Sequence, residues 1–502
     1  MSPLFGHATS ESTQAIMSRF PQLAYHVLGK TGLRVSSVGM GTYRITAESE
    51  THRQALMTAL TEGVNLIDTS SNYADGLSEK LIGLVLKDAI ERDIVSRDEV
   101  VVVSKGGYIQ GENFEHYQIR ISSGRPFPEV VDLEPGLAHC IHPDFLAEQL
   151  ERSLQRLQLE TLDVYLLHNP EYYLTWAQRE GHSLAGAREV YYQRIEQALS
   201  FLESQVQKGR IRWYGISSNT FGLPAQAPMF TSLERIFHSV DVVGARHFAV
   251  VQFPLNLLET GAMTQPNQSR ARSVLDLAHS YDLGVLINRP LNAIQGNVLM
   301  RLVEVETEEF ADEETVRELC HELSESEDAF LATLAPHLFV DDAEIQAFEQ
   351  RFFVGSLVVG SWAEFSGYHH WQEFLSHVIL PRVEQAVDFI TQQQGFGGQE
   401  DSWLDGYLRT VKDVVSAIST YHADRNQQFA SQIKEKILSA HPDWELLSLA
   451  QMAIRTLRTT PGVSSVLVGM RTPDYVNMVL DEQQNTSAKS VADATLWHRL
   501  SA

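Results

Sequence analysis

The sequence predicts an α/β protein: a (β/α)8 TIM barrel that carries a large, mainly helical insertion in its seventh βα loop. Three observations predict it. Eight short apolar runs recur along the 502 residues, each about strand length and rich in Val, Ile, Leu or Tyr. The runs are continuously apolar rather than alternating, which suits strands buried on both faces of a parallel sheet. Segments of helical period lie between most of them, and eight such units favour a closed barrel over an open doubly wound sheet.

In order, the expected strands are Val35–Tyr43, Asn65–Tyr73, Val100–Tyr108, Leu162–Asn169, Ile211–Asn219, Ala249–Asn256, Val285–Asn292 and Val463–Met470. Among the expected helices, Ser78–Ile90 opens on a Ser/Glu entry signal. Asp144–Leu159 sets Leu146, Leu150, Leu154 and Leu157 on one stripe. Tyr191–Lys208 ends at Gly209, a residue type suited to closing a helix, and Arg270–Asp282 runs into Gly284. Two stretches break the repeat. Ile109–His142 is polar, with Gly, Pro and His, and reads as a long loop. Gln295–Pro442 opens with an acidic, helix-prone block from Glu304 to Asp328, read as a solvated helix surface, in which Arg317 is the only basic residue. Trp371–Gln393 and Trp403–Ser431 follow as amphipathic helices with the Gly-rich break Gly395–Gly398 between them, and Trp362, Trp371 and Trp403 are expected to anchor their core. The domain reading is therefore a tail over 1–27, barrel over 28–294, insertion over 295–442, and barrel completion with a C-terminal tail over 443–502.

Composition limits the partners. Lys plus Arg is 39 and Asp plus Glu is 64, a net charge of −25. Such a chain repels phosphate backbones and anionic lipid, which argues against nucleic acid or a membrane as its main partner. Two cysteines, Cys140 and Cys320, cannot make a disulfide framework and suit a reducing compartment. The first residues lack an apolar signal core, so a cytoplasmic location is expected, with an organelle transit peptide as the alternative. His139, Cys140, His142, His369 and His370 lack the spacing of a metal site and read as loop histidines, so no metal is expected.

The ends of the apolar runs carry the chemistry. Asp68, Lys105, His168, Ser217–Asn219, Gln252 and Asn288–Arg289 each stand where a buried strand gives way, and Tyr73 follows Asp68 by five residues. In a barrel these groups converge at the mouth where active sites form. A buried lysine needs a counter-charge, and Asp68 is the obvious one. A lysine cation beside Tyr73 is expected to lower the phenol pKa, suiting it to give a proton to a carbonyl and take it back. His168 can orient that carbonyl. Such a set does acid–base work and needs a second reactant, for which hydride from a nicotinamide is natural.

The blocks LGKTGLRVSSVGMGTYRI (28–45), NLIDTSSNYADGLSEKLIG (65–83), VVVSKGG (101–107), DVYLLHNP (163–170), GRIRWYGISSN (209–219), VVQFPLN (250–256), GVLINRPL (284–291) and PGVSSVLVGMRTPDYV (461–476) follow in fixed order. Together they make the sequence resemble the aldo-keto reductase family over about 28–295 and 445–482. The resemblance implies a catalytic tetrad of Asp68, Tyr73, Lys105 and His168. It implies NADP or NAD as cofactor. Gly41 and Thr42 would lie near the nicotinamide end, with Ser218, Asn219 and Gln252 on the carboxamide. Asn288, Arg289 and Leu291 would follow the seventh strand, and Gly469, Arg471 and Tyr475 would lie at the adenosine phosphate end. It implies an oxidoreductase acting on an aldehyde, ketone or aldose, or alternatively a cofactor-binding regulatory protein of the same fold. Asn288 stands where the family usually has an aromatic under the nicotinamide ring. Arg471 is the only cation in its segment, which makes NAD a credible cofactor beside NADP.

Overall fold

The computed structural model describes residues 3–295, 298–305, 307, 310–394, 396–484 and 490–501. Two compact units emerge, one of Met1–Ala293 with Lys436–Ala502 and one of Ile294–Glu435.

The first unit is a closed barrel of eight parallel strands in sequential order. The strands are β1 (Val38–Gly41), β2 (Leu66–Asp68), β3 (Val101–Gly106), β4 (Leu162–His168), β5 (Ile211–Ser217), β6 (Phe248–Pro254), β7 (Gly284–Asn288) and β8 (Ser465–Val468). Each falls at one of the eight apolar runs. The barrel helices are α1 (Glu50–Thr61), α2 (Leu77–Glu91), α3 (Pro143–Leu157), α4 (Leu184–Gln207), α5 (Leu233–Val243), α6 (Val274–Ser280), α7 (Leu449–Thr459) and α8 (Pro473–Gln484). Helix α4 begins seven residues before its expected start because the Ser183 hydroxyl caps it, accepting from the Gly186 amide. Helix α6 is shorter than expected: Arg270 has φ +57° in a separate turn, and a Ser273–Asp276 capping box opens the helix.

Side chains alternate along a strand, and that period of two builds the site. Leu66, Val101, Val103, Val164, Leu166, Val250, Leu286 and Leu467 form one buried cluster. Two residues further along the same columns stand Asp68, Lys105, His168, Gln252 and Asn288. The apolar core thus runs up the barrel and ends in a polar layer at the carboxyl ends of the strands. The register sets Gly41 beside Asp68, and Ser217 beside both His168 and Gln252.

The stretch 109–142, expected as a loop, is structured. A helix over Glu112–Ser122 and a three-stranded antiparallel sheet of Tyr108–Ile109, Val131–Glu134 and Leu137–His139 occupy it. The strands are only two to four residues long, too short to print a period on the sequence. The N-terminal segment is also built in. Helix Ser10–Arg19 is capped by Thr9, and Tyr25–Val27 pairs with Arg34–Ser36. The Ala8 amide donates to the fully buried Asp163 carboxylate at 2.7 Å, which also takes Arg97 at 2.9 Å.

The second unit is a helical body preceded by a two-stranded sheet of Asn292–Gln295 and Val298–Arg301. Its helices include Glu313–Thr333, Asp342–Phe352, Tyr368–Phe374, Leu380–Thr391 and Gly398–Leu438, the last crossing into the first unit's residues. Val316, Cys320, Leu323, Trp362, Trp371, Tyr407 and Ile418 form its core, with Trp403 packed against it. The acidic block is not wholly a solvated face. Glu327 is buried, and its carboxylate accepts from the Val354 and Gly355 amides (2.9 and 2.8 Å) and the Tyr407 hydroxyl (2.9 Å). Three amide and hydroxyl donors offset the cost of burying that acid. The expected positions Glu306, Glu308, Glu309 and Gly395 lie outside the described residues.

Candidate active site

Asp68, the last residue of β2, and Lys105, near the end of β3, face each other inside the barrel. The Lys105 ammonium donates to Asp68 Oδ2 at 2.7 Å and to the Thr69 carbonyl at 2.8 Å. Its third donor meets the Tyr73 hydroxyl at 3.1 Å. Gln252 Nε2 occupies the other Asp68 oxygen at 2.8 Å. Lys105 is fully buried. Burial opposes its charge, yet Asp68 and Tyr73 raise its pKa above the usual lysine value, so it stays an ammonium. Burial likewise pushes Asp68 up against the pull of Lys105.

Tyr73 reaches this pair by an unusual turn. Ala74, Asp75 and Gly76 all have positive φ (47°, 51° and 85°) before α2 begins. Left-handed backbone at Ala74 and Asp75 is strained, the kind of geometry that collects at functional sites. Gly111, itself at φ +53°, lets the small sheet's segment close on this turn, because a side chain there would collide with the Asp75 carboxylate. The expected lowering of the Tyr73 pKa is corrected by the structure: burial raises it and outweighs the opposing effect of Lys105. The phenol therefore holds its proton at neutral pH.

His168, the last residue of β4, lies across from Tyr73 with ring centroids 6.0 Å apart. Its Nδ1 is 3.0 Å from the Ser70 hydroxyl. Burial, then Lys105 and His139, hold its pKa well below the ordinary histidine value, so the imidazole is neutral. His139, expected in a loop, ends a strand of the small sheet and is buried, its Nε2 2.8 Å from the His168 carbonyl. Gly107 makes this approach possible, since a Cβ there would strike both groups. Burial lowers the His139 pKa to about 4. A histidine near 6.5 when unfolded and near 4 when folded stabilises the fold above pH 6.5 and loses that contribution as pH falls through 4. Urea midpoints measured from pH 7.5 to 4 should show roughly 3 kcal/mol of this loss in the wild type, and a smaller drop in His139→Gln.

Around these groups stand aromatic rings that the strand-end reading passed over, although Tyr43 and Tyr108 close two of its runs. Tyr43 meets Tyr73 edge-on at 5.2 Å, and Tyr108 meets His168 at 4.7 Å and Tyr172 at 5.4 Å.

The remaining expected positions stand near the carboxyl ends of five other strands. Gly41 and Thr42 adjoin Asp68, whose carbonyl accepts from the Thr42 hydroxyl at 2.8 Å. Ser218 and Asn219 follow β5, and the Asn219 amide donates to Glu171 at 2.8 Å. Gln252 is tied to the tetrad side: besides Asp68, its Oε1 accepts from Ser217 at 3.1 Å and from Asn288 at 3.5 Å. Arg289 has φ +53° and pairs with Glu259 at 2.8 Å, with Leu291 two residues beyond. Gly469, Arg471 and Tyr475 form a separate group at the end of β8 and the start of α8. Burial, with Arg471 adding to it, lowers the pKa of His52 of α1, so the imidazole near that segment is neutral and adds no second cation to Arg471.

These residues fit a nicotinamide cofactor. Asn169 Oδ1, Glu171 Oε2 and Asn288 Oδ1 are buried acceptors without a hydrogen bond among the described residues, and Arg289 Nε is a buried donor in the same condition. Such atoms call for a polar partner, a water or a ligand. They stand just past β4 and at the end of β7, with Glu171 bonded to Asn219, and amide and ribose groups supply both donors and acceptors.

Residues 37–295 match the model of the aldo/keto reductase family. The chain belongs to that family. It is 30% identical over 149 residues to an NADH-specific methylglyoxal reductase of Escherichia coli (strain K12), covering 28% of this chain and 40% of that protein. It is 25% identical over 155 residues to the aldo-keto reductase YhdN of Bacillus subtilis (strain 168), covering 30% and 39%. The matches thus span about two fifths of those relatives. A crystal structure of an aldo-keto reductase from Klebsiella pneumoniae in complex with NADPH aligns at 20% identity and a TM-score of 0.33, covering 54% of this chain and 68% of that one. Among the described residues, no helix is long and apolar enough to cross a membrane.

Proposed function

We propose that this aldo/keto reductase family member is an NAD(P)-dependent oxidoreductase that interconverts a carbonyl (an aldehyde, ketone or aldose) and an alcohol, with Tyr73 as general acid and base. The observation that carries the reading is the Tyr73 hydroxyl 3.1 Å from an ammonium fixed by a buried carboxylate. The protonated phenol can donate to a carbonyl oxygen as that oxygen gains charge. Lys105 then faces the phenolate left behind and stabilises it by a charge-assisted hydrogen bond. Neutral His168 can orient the carbonyl without adding a second positive charge. Asp68 holds Lys105 in place, and Gln252 holds Asp68. The nicotinamide, when bound, supplies or accepts the hydride. Ser218 and Asn219 would hold its carboxamide, with Gly41, Thr42, Asn288, Arg289 and Leu291 around the ring and ribose. Asn288 replaces ring stacking with an amide. Gly469, Arg471 and Tyr475 would hold the adenosine phosphate end. Arg471 supplies one cation for a 2′-phosphate, while the E. coli relative's name specifies NADH, so both cofactors belong in the test.

The test follows nicotinamide absorbance with NADH and with NADPH against a panel of aldehydes, ketones and aldoses. Turnover of at least one carbonyl is expected. Failure of both nucleotides to bind would overturn the reading.

A further inference from the structure

We propose that Glu171 is a positioning residue for the cofactor, holding the Ser218–Asn219 segment in its carboxamide-gripping form when its carboxyl is ionised. This inference rests on the assignment of Ser218 and Asn219 to the cofactor.

Glu171 lies three residues beyond β4 and is only 5% exposed. An acid so buried needs partners, yet among the described residues one hydrogen bond to it is well formed, with the Ser218 side chain adding a weaker pull. Oε1 accepts from the backbone amide of Asn219 at 2.8 Å, while Oε2 accepts none among the described residues. That one bond ties the end of β4 to the turn after β5. Within the turn, the Ser218 hydroxyl lies 3.1 Å from that of Thr220, which lies 2.9 Å from that of Thr231. The carboxyl thus anchors a segment whose Ser218 and Asn219 would recognise the cofactor, and its second oxygen, like Asn169 Oδ1 and Asn288 Oδ1, is buried without a hydrogen bond among the described residues.

Burial raises the Glu171 pKa to about 7, against the opposing pull of Asn219, Ser218 and Arg289. The titratable and charged groups facing it are Arg289 beyond β7, Tyr191 of α4 and Tyr108 of the small sheet. Both phenols are pushed above their usual range, and arginine stays charged, so none of the three changes state near pH 7. His168, on the same element, titrates well below that pH. Glu171 is therefore the group in this set whose charge changes across neutrality. A carboxylate holds an amide N–H more strongly than a neutral acid does, so the segment is held better above pH 7 than below it.

The experiment measures NADH dissociation constants by fluorescence from pH 5.5 to 8.5 in the full-length wild type and in Glu171→Gln and Glu171→Ala. NADH is chosen because its diester phosphates do not titrate there. Wild-type affinity should rise about three- to tenfold through pH 7. Glu171→Gln, which keeps the shape and one acceptor but no charge, should show a flat profile near the wild-type low-pH value. Glu171→Ala should be flat and weaker still. A Glu171→Gln profile that retains the wild-type pH dependence, or a wild type without any, would overturn the proposal while leaving the cofactor assignment intact. Absence of NADH and NADPH binding at every pH would instead sink the assignment itself, and this inference with it.

Discussion

Replacing Tyr73 with Phe is expected to lower turnover by about 10²–10⁴-fold, the range that one positioned proton donor contributes. The ring stays, so its packing against Tyr43 and His168 stays. Only the hydroxyl facing Lys105 is removed. The measurement is steady-state absorbance of the nicotinamide at saturating cofactor, with cofactor affinity followed separately by fluorescence. A fall in kcat with near-constant affinity would place the loss in proton transfer. Unchanged turnover would remove Tyr73 from its role. The raised Tyr73 pKa adds a directional expectation. Reduction needs the protonated phenol and should proceed well at neutral pH, whereas alcohol oxidation, which needs it to give its proton up first, should quicken toward alkaline pH.

The second large effect is on stability. Lys105→Met leaves Asp68 without its cation in a fully enclosed setting, and breaking a buried pair in this way costs about 3–5 kcal/mol. Urea unfolding should show that loss as a shifted midpoint at constant slope. The double variant Asp68→Asn with Lys105→Met removes the stranded charge and should recover part of it. If the double variant is no more stable than Lys105→Met alone, the pair does not carry the burial energy assigned to it. Either variant should also lose the activity that depends on Lys105.

Much of the architecture was legible because continuous apolar runs encode strands buried on both faces, and each of the eight runs holds a barrel strand. The gathering of Asp68, Lys105 and His168 was legible because they are polar residues at the ends of such runs. Leu66 before Asp68, and Val103 before Lys105, mark the inward columns in the chain itself. What stayed hidden depends on contacts between distant segments. His139 looked like a stray loop histidine, since strands of two to four residues carry no usable period. Glu171 sits only three residues past His168, but nothing local shows that its partner is the amide of Asn219. The direction of the Tyr73 pKa is hidden for a related reason: the lysine beside it is visible in the pattern, whereas the depth of burial, which dominates, is a property of the folded molecule.

The segment after β3 braces the active site twice. Gly111 closes on the turn that presents Tyr73, and His139 meets the backbone of His168. Family members differ most in the loops around the barrel mouth, and exchanging loops is a common way to re-aim specificity. Here that exchange has a built-in restriction. A grafted replacement for residues 109–142 would have to reproduce both abutments, or it would unsettle Tyr73 and His168 together, whatever the graft was meant to admit.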